Sequence, residues 1–285
     1  MAPISPKKLK RVYEILAERE YARIHAGQAS HTSPEHAFYS VRNSLKHRTD
    51  NRYSNILAYD RTAVSVEGKY LNANVVTDGK GGTWIAAQAP PPRAFDTFFR
   101  ALYSGSAIGK RSDDVLLVQL TGWEERGMLK ANPYMDHVMD HLPLKIIQQQ
   151  RQDDISCDVT RLRLGQDSPV TVHHYHFDAW PDHGVPQGEG VEALSKLIDE
   201  IQQRKDSLGC EVWVHCSAGV GRTGTFIALS SLRRPGQVTR SSPLGPLPPE
   251  LDQDVVAQTV DTIRECRGML VQTIEQLELI YEMYV

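Results

Sequence analysis

The sequence predicts one large α/β domain, and three observations carry that prediction. Its 285 residues are long for the commonest domain size but within what one α/β domain holds. Apolar residues make up 40% and charged residues 24%, enough to bury a normal core beneath a solvated surface. Short β-branched runs also share the chain with segments whose apolar residues recur at helical spacing.

Residues 5–25 carry Leu9, Val12, Ile15 and Leu16 among Lys and Glu, which predicts an amphipathic helix packing on the flank of the domain. We treat 1–34 as that helical extension and 35–285 as the main domain. VSVEGKYLNANVV, TDGKGG and TWIAAQAP predict strands joined by glycine turns between about 55 and 90. FDTFFRALYSG predicts a helix and DDVLLVQLT a buried strand. HVMDHLPLKIIQQQ, ISCDVTRLRLG and PVTVHHYHF continue as strands. GVEALSKLIDEIQQRK predicts an amphipathic helix, EVWVHC a short apolar strand, and RTGTFIALSSL a buried helix. The proline-rich stretch 233–250, with Ser241 and Ser242 inside it, lacks apolar periodicity and predicts an exposed, flexible insert. DQDVVAQTVDTIREC and QTIEQLELIYEMY predict two final helices.

The net charge is −3 and the pI about 6.4, which gives no general attraction to nucleic acid or anionic membrane. Any anion site must therefore be local. The first twenty residues lack the apolar core of a secretory signal, and no stretch approaches a membrane span. Cys157, Cys210, Cys216 and Cys266 form no C-x-x-C pair, which argues against a zinc site and for a reducing compartment.

The chemistry concentrates in VHCSAGVGRTGTF at 214–226. Cys216 ends an apolar strand, Gly219 and Gly221 follow, and a helix opens at Arg222 and Thr223. Glycines let successive N–H groups turn inward, and the helix N-terminus adds its positive dipole end. The loop Ser217, Ala218, Gly219, Val220 and Gly221 thus forms a cradle for a phosphate-sized anion. The same field favours a thiolate, making Cys216 a nucleophile at neutral pH. Arg222 can reach back over the loop and hold two phosphate oxygens with its planar fork. A lone cysteine would by default be a core residue; the spaced glycines and arginine argue otherwise.

His215 to Thr223, read as H-C-x-x-G-x-G-R-T, resembles the signature of the cysteine-based protein tyrosine phosphatases, specifically the tyrosine-specific non-receptor group. The resemblance implies a highly twisted, mixed central sheet flanked by helices. It also assigns roles. Asp182, in WPDHGVP after Trp180 and Pro181, matches the general acid of a mobile loop. Tyr53, in NRYSNILAYD, matches the aromatic residue that stacks on phosphotyrosine and makes the pocket too deep for phosphoserine. Asn55 stands where the family usually has an Asp that holds the substrate backbone. Gln272 matches the residue that places the hydrolytic water, and Gln276 its companion. Glu125 and Lys130, in EERGMLK, match residues that support the arginine and the acid loop, and Arg264 matches a supporting arginine. Taken alone, these partners would read as a turn, packing residues and surface charges.

The implied mechanism passes through a phosphocysteine and needs no cofactor or metal. Thr223 would bond the departing thiolate, and His215 would fix the loop and tune the cysteine. Binding scaffolds related to these enzymes generally lose the Cys, Arg or acid, and all three are present here. The NRY segment and the chain length count against a shallow, dual-specificity pocket. Expected partners are phosphotyrosine proteins, signalling kinases among them, acted on by a monomer in the cytoplasm with access to the nucleus.

Overall fold

The computed structural model describes residues 4–29, 33–181, 184–239 and 242–284. Ser5 caps the first helix, α1 (Pro6–Gln28), by accepting the Lys8 amide at 3.3 Å, with Pro6 opening the first turn. Leu9, Val12, Ile15 and Leu16 are buried along one side of it. Two single-turn helices follow, α2 (Pro34–Phe38) and α3 (Arg42–Lys46), which the sequence reading did not anticipate. Strands β1 (Ala63–Val66), β2 (Lys69–Thr77) and β3 (Thr83–Ala87) pair antiparallel in turn. Helix α4 (Phe95–Ser104) ends at Gly105, whose φ of +63° supplies the left-handed stop. Then come β4 (Asp114–Gln119), the hairpin β5 (Glu124–Glu125) and β6 (Met128–Leu129), and the meander β7 (Leu144–Gln152), β8 (Cys157–Leu164) and β9 (Val170–Phe177). Helix α5 (Glu189–Leu208), strand β10 (Glu211–His215) and helices α6 (Gly221–Leu232), α7 (Val255–Arg264) and α8 (Ile274–Met283) complete the chain.

One expected strand starts late. Residues 137–143 are irregular, and β7 begins only at Leu144. Met139 and Leu142 are buried against the α4 side of the core instead of alternating along a sheet.

Among the described residues, eight strands form one mixed sheet in the order β1-β2-β3-β10-β4-β9-β8-β7. It is the α/β sheet flanked by helices that the sequence implies. Its middle is parallel: β10 runs with β3 and β4, and β4 with β9. Strand β10 is buried throughout, as a short apolar run between two neighbours must be. Alternation splits its side chains between two cores. Val212 and Val214 join residues of α1, α5, α6, α7 and α8, while Trp213 joins Phe98, Phe99 and Leu102 of α4. Each such burial contributes roughly 1.5–3 kcal/mol. Because β3, β10, β4 and β9 point the same way, the loops leaving them meet at one edge, where α/β sheets place their sites. No helix among the described residues is long and apolar enough to cross a membrane.

Candidate active site

Cys216 leaves the end of β10 at the centre of that edge and is 6% exposed. The Gly219 amide donates to its Sγ at 3.3 Å. Gly219 has φ +72°, and a Cβ there would lie 2.1 Å from the Ala87 carbonyl oxygen of β3, so only glycine lets the loop press against the sheet. Val220 caps α6 without a side-chain bond, leaving the first-turn amides of that helix to face an anion. Ser217, Ala218 and Gly221 line the same cavity as Cys216 and Arg222, a hollow of about 400 Å³.

Arg267 explains why the loop amides turn inward. It is fully buried and donates to the Gly219 carbonyl at 2.8 Å and the Ala218 carbonyl at 3.2 Å. Its Nη1 and Nη2 also donate to the Asn74 and Asn72 side-chain oxygens, each at 2.8 Å. A planar peptide aims its carbonyl and the following N–H in opposite directions. Carbonyls drawn toward Arg267 therefore set the amides toward the sulfur. Burial pushes the Arg267 guanidinium down to about 10, still charged at neutral pH. The sequence reading missed this residue.

His215 braces the loop from below. Burial pushes its pKa down to about 4, so the ring is neutral at pH 7. Its Nδ1–H donates to the Cys216 carbonyl at 2.9 Å, and Nε2 accepts the Tyr134 hydroxyl at 2.8 Å. Tyr134 lies in turn 3.1 Å from His174 Nε2. Tyr134 and His174 were also missed, because they reach His215 from the segment after β6 and from β9, far from it in sequence.

Arg222 is anchored by the loop after β4. Its Nη1 and Nη2 meet the Glu125 carboxylate at 2.6 and 2.9 Å, and Nη1 also donates to the Leu120 carbonyl at 3.0 Å. Glu125 is itself fixed by the Thr121 hydroxyl at 2.7 Å and the Gly122 amide at 3.0 Å. Lys130 lines the cavity, and its carbonyl accepts the Ser217 hydroxyl at 2.6 Å. Trp180 is buried and bonds the Gly184 carbonyl at 3.3 Å; the Pro181 carbonyl accepts Arg222 Nη2 at 3.1 Å. Asp182 lies outside the described residues.

Tyr53 reaches the same loop from the other side. The single hydroxyl proton of Ser217 goes to Lys130, so the 2.7 Å contact between Tyr53 and Ser217 is donated by Tyr53. Asn55, two residues on, is exposed. Gln272 lines the cavity from a loop rather than a helix: Thr273 caps α8, and Gln276 closes the capping box by accepting the Gln272 amide at 2.9 Å and the Thr273 amide at 3.3 Å. The two glutamines therefore do not share a helix face. Arg264, buried, holds the carbonyls of Leu270 at 2.7 Å and Val271 at 2.6 Å. Thr223 is buried in the first turn of α6, its hydroxyl without a hydrogen-bond partner among the described residues. A larger hollow, about 530 Å³, lies between the proline-rich stretch and α7, but no cysteine lines it. The chemistry follows the sulfur, not the volume.

The comparisons agree with this geometry. The family model for protein-tyrosine phosphatase matches residues 47–285. Tyrosine-protein phosphatase 3 of Schizosaccharomyces pombe is 30% identical over 65% of this chain and 64% of its own length. Tyrosine-protein phosphatase 2 of the same yeast is 28% identical over 81% of this chain but only 33% of its own length, so this chain spans about a third of that relative. Tyrosine-protein phosphatase 1 of Saccharomyces cerevisiae is 29% identical over 85% and 84%. In fold, the catalytic domain of human protein tyrosine phosphatase non-receptor type 18 superposes with a TM-score of 0.75 over 98% of this chain and 95% of that one, at 20% identity. With the match running from residue 47 through the cysteine loop to the last helix, the chain belongs to the protein-tyrosine phosphatase family.

Proposed function

We propose that the chain hydrolyses phosphotyrosine on proteins through a phosphocysteine. The observation that carries this reading is the Gly219 amide aimed at Cys216 Sγ from a loop whose carbonyls are drawn off by Arg267. A thiolate there is stabilised by oriented dipoles, and the same dipoles suit the equatorial oxygens of a transferring phosphoryl group.

In the first step Cys216 sulfur bonds phosphorus, the bond to the tyrosine oxygen breaks, and Asp182 gives its proton to that oxygen. Arg222, held by Glu125, and the amides of Ser217 to Gly221 take the charge on the phosphoryl oxygens. Tyr53 flanks the ring. In the second step Asp182 takes a proton from a water placed by Gln272 and Gln276. The new oxygen–phosphorus bond displaces sulfur, the Thr223 hydroxyl steadies the returning thiolate, and inorganic phosphate leaves. His215 fixes the loop as a neutral donor. Trp180, Pro181, Lys130 and Arg264 hold these groups in place.

The reading extends to signalling. Its substrates are phosphotyrosine proteins, signalling kinases among them, and the enzyme works as a monomer in the cytoplasm with access to the nucleus. Four unpaired cysteines suit a reducing compartment. The test compares phosphotyrosine and phosphothreonine peptides with the wild type and Cys216→Ser. Turnover of phosphotyrosine alone, lost in the variant while binding survives, is expected. Substantial turnover by Cys216→Ser overturns the scheme.

A further inference from the structure

The proline-rich stretch is not used by the chemistry above, yet Ser242 within it touches one of the most charged parts of the molecule. Its hydroxyl donates to Glu265 Oε1 at 3.0 Å and accepts the Leu244 amide at 3.1 Å; Pro243 follows it. The same Glu265 oxygen receives Arg23 Nη2 at 2.6 Å, and Tyr39 donates to the other oxygen at 2.6 Å. Arg23 also pairs with Asp261. Arg19 binds Asp261 through Nε at 2.9 Å and Nη2 at 3.0 Å, and its Nη2 donates to the Gly245 carbonyl at 2.8 Å. Two arginines of α1 thus tie the stretch and α7 together.

The network continues to the catalytic edge. Glu20 lies 3.5 Å from Arg23 and accepts the Met269 amide at 2.9 Å. Arg264 joins the Leu16 carbonyl of α1, at 2.9 Å, to the carbonyls of Leu270 and Val271. Met269 and Val271 have φ of +63° and +62°, a left-handed backbone that such residues keep only when held there. Gln272 comes next. The seating of α1 therefore restrains the loop that carries Gln272.

We propose that Ser242 is a phosphorylation site for a proline-directed serine kinase, and that its phosphate loosens α1 and slows turnover. The kinase transfers the γ-phosphoryl of ATP to Ser242 Oγ: a new oxygen–phosphorus bond forms, the bond to ADP breaks, and the hydroxyl proton leaves. The contact with Glu265 sets the sign of the effect. Among the described residues, Arg19, Arg23 and Arg264 pair with Glu20, Asp261 and Glu265 in this cluster. A phosphate adds roughly −1.5 to −2 beside Glu265 and removes the donor that Glu265 now receives. Arg61 donates to the Glu265 main-chain carbonyl at 2.8 Å and stacks on Phe38, contacts it would have to give up to reach a phosphate. The phosphate instead competes with the carboxylates for Arg19 and Arg23.

This inference rests on the phosphatase reading for its effect on rate but not for its effect on structure, and its test keeps the two apart. The whole chain is prepared unmodified, as Ser242→Ala, and with phosphoserine installed at 242. Ser242→Ala should keep its kcat toward an aryl phosphate. The phosphorylated chain should lose about 3- to 10-fold in kcat, melt about 3–8 °C lower, and exchange amides faster in α1 and at 267–272. An unchanged or raised Tm overturns the proposal, as does an unchanged kcat with altered exchange. Incubating the folded chain with a proline-directed kinase and ATP should place phosphate on Ser242. If only the isolated 236–248 peptide is modified, the site is closed in the native protein and the proposal fails. Activity surviving in Cys216→Ser would sink the phosphatase reading without touching the exchange result.

Discussion

Arg267 and the sulfur of Cys216 lie on opposite sides of one peptide unit: Arg267 takes the Ala218 carbonyl at 3.2 Å, and the Gly219 amide of that unit donates to Sγ at 3.3 Å. Replacing Arg267 with Met leaves those carbonyls free to turn, and the amides with them. We expect kcat toward an aryl phosphate to fall about 100-fold with KM much less affected, since the loss is in groups aimed at developing charge. Alkylation of Cys216 by iodoacetate at pH 7 should slow in parallel. Unchanged alkylation would show that the amides are set by something else.

The Glu125 carboxylate holds both terminal nitrogens of Arg222, at 2.6 and 2.9 Å. Glu125→Gln keeps one acceptor and loses the fork. Steady-state kinetics should show kcat/KM lowered about 10- to 100-fold, the cost of a misplaced clamp. A change within about twofold would mean that Leu120 and Pro181 suffice to aim the guanidinium.

Burial also pushes the imidazoles of His174 and His176 below their ordinary value, as it does His215 to about 4. The unfolded chain takes up these protons near pH 6.5, whereas the folded one refuses them. Their contribution to stability is therefore complete above about pH 6.5 and is lost as pH falls toward 4. For His215 alone the loss is about 3 kcal/mol. Denaturant midpoints measured between pH 7.5 and 4.5 should decline over that window, and a flat profile would contradict the burial of neutral rings.

The cysteine loop was legible because its chemistry is local: a strand end, glycines, an arginine and a helix start lie within one short run. The two buried strands at the middle of the sheet were legible as well, since EVWVH and DVLLVQ are apolar without polar alternation. Arg267 was not. Nothing in RECRGML marks it as buried, and its partners Asn72 and Asn74 come from β2, far away in sequence. The run 137–143 misled for the opposite reason, because Met139 and Leu142 are apolar to fill the α4 side of the core rather than to line a strand. The run QTIEQLELIYEMY predicts a helix from Gln272, whereas Thr273 caps α8 and leaves Gln272 in the preceding loop.

Asn55 is exposed beside the Tyr53 segment and cannot offer a substrate backbone the two charged acceptor oxygens of an Asp. Asn55→Asp should lower KM for phosphotyrosine peptides about 3- to 10-fold, the gain in turning one neutral hydrogen bond into a charge-assisted one. KM for a small aryl phosphate should not move. An equal change for both substrates would place the effect in the pocket instead of on the peptide.

The covalent intermediate is the most direct test of the whole scheme. Rapid acid quench of the wild type and of Gln272→Ala with a phosphorus-labelled aryl phosphate, followed by peptide mapping, should find the label on Cys216, with more of it in the variant whose second step is slowed. Label on any other residue, or steady hydrolysis with no labelled protein at any time, would contradict the account.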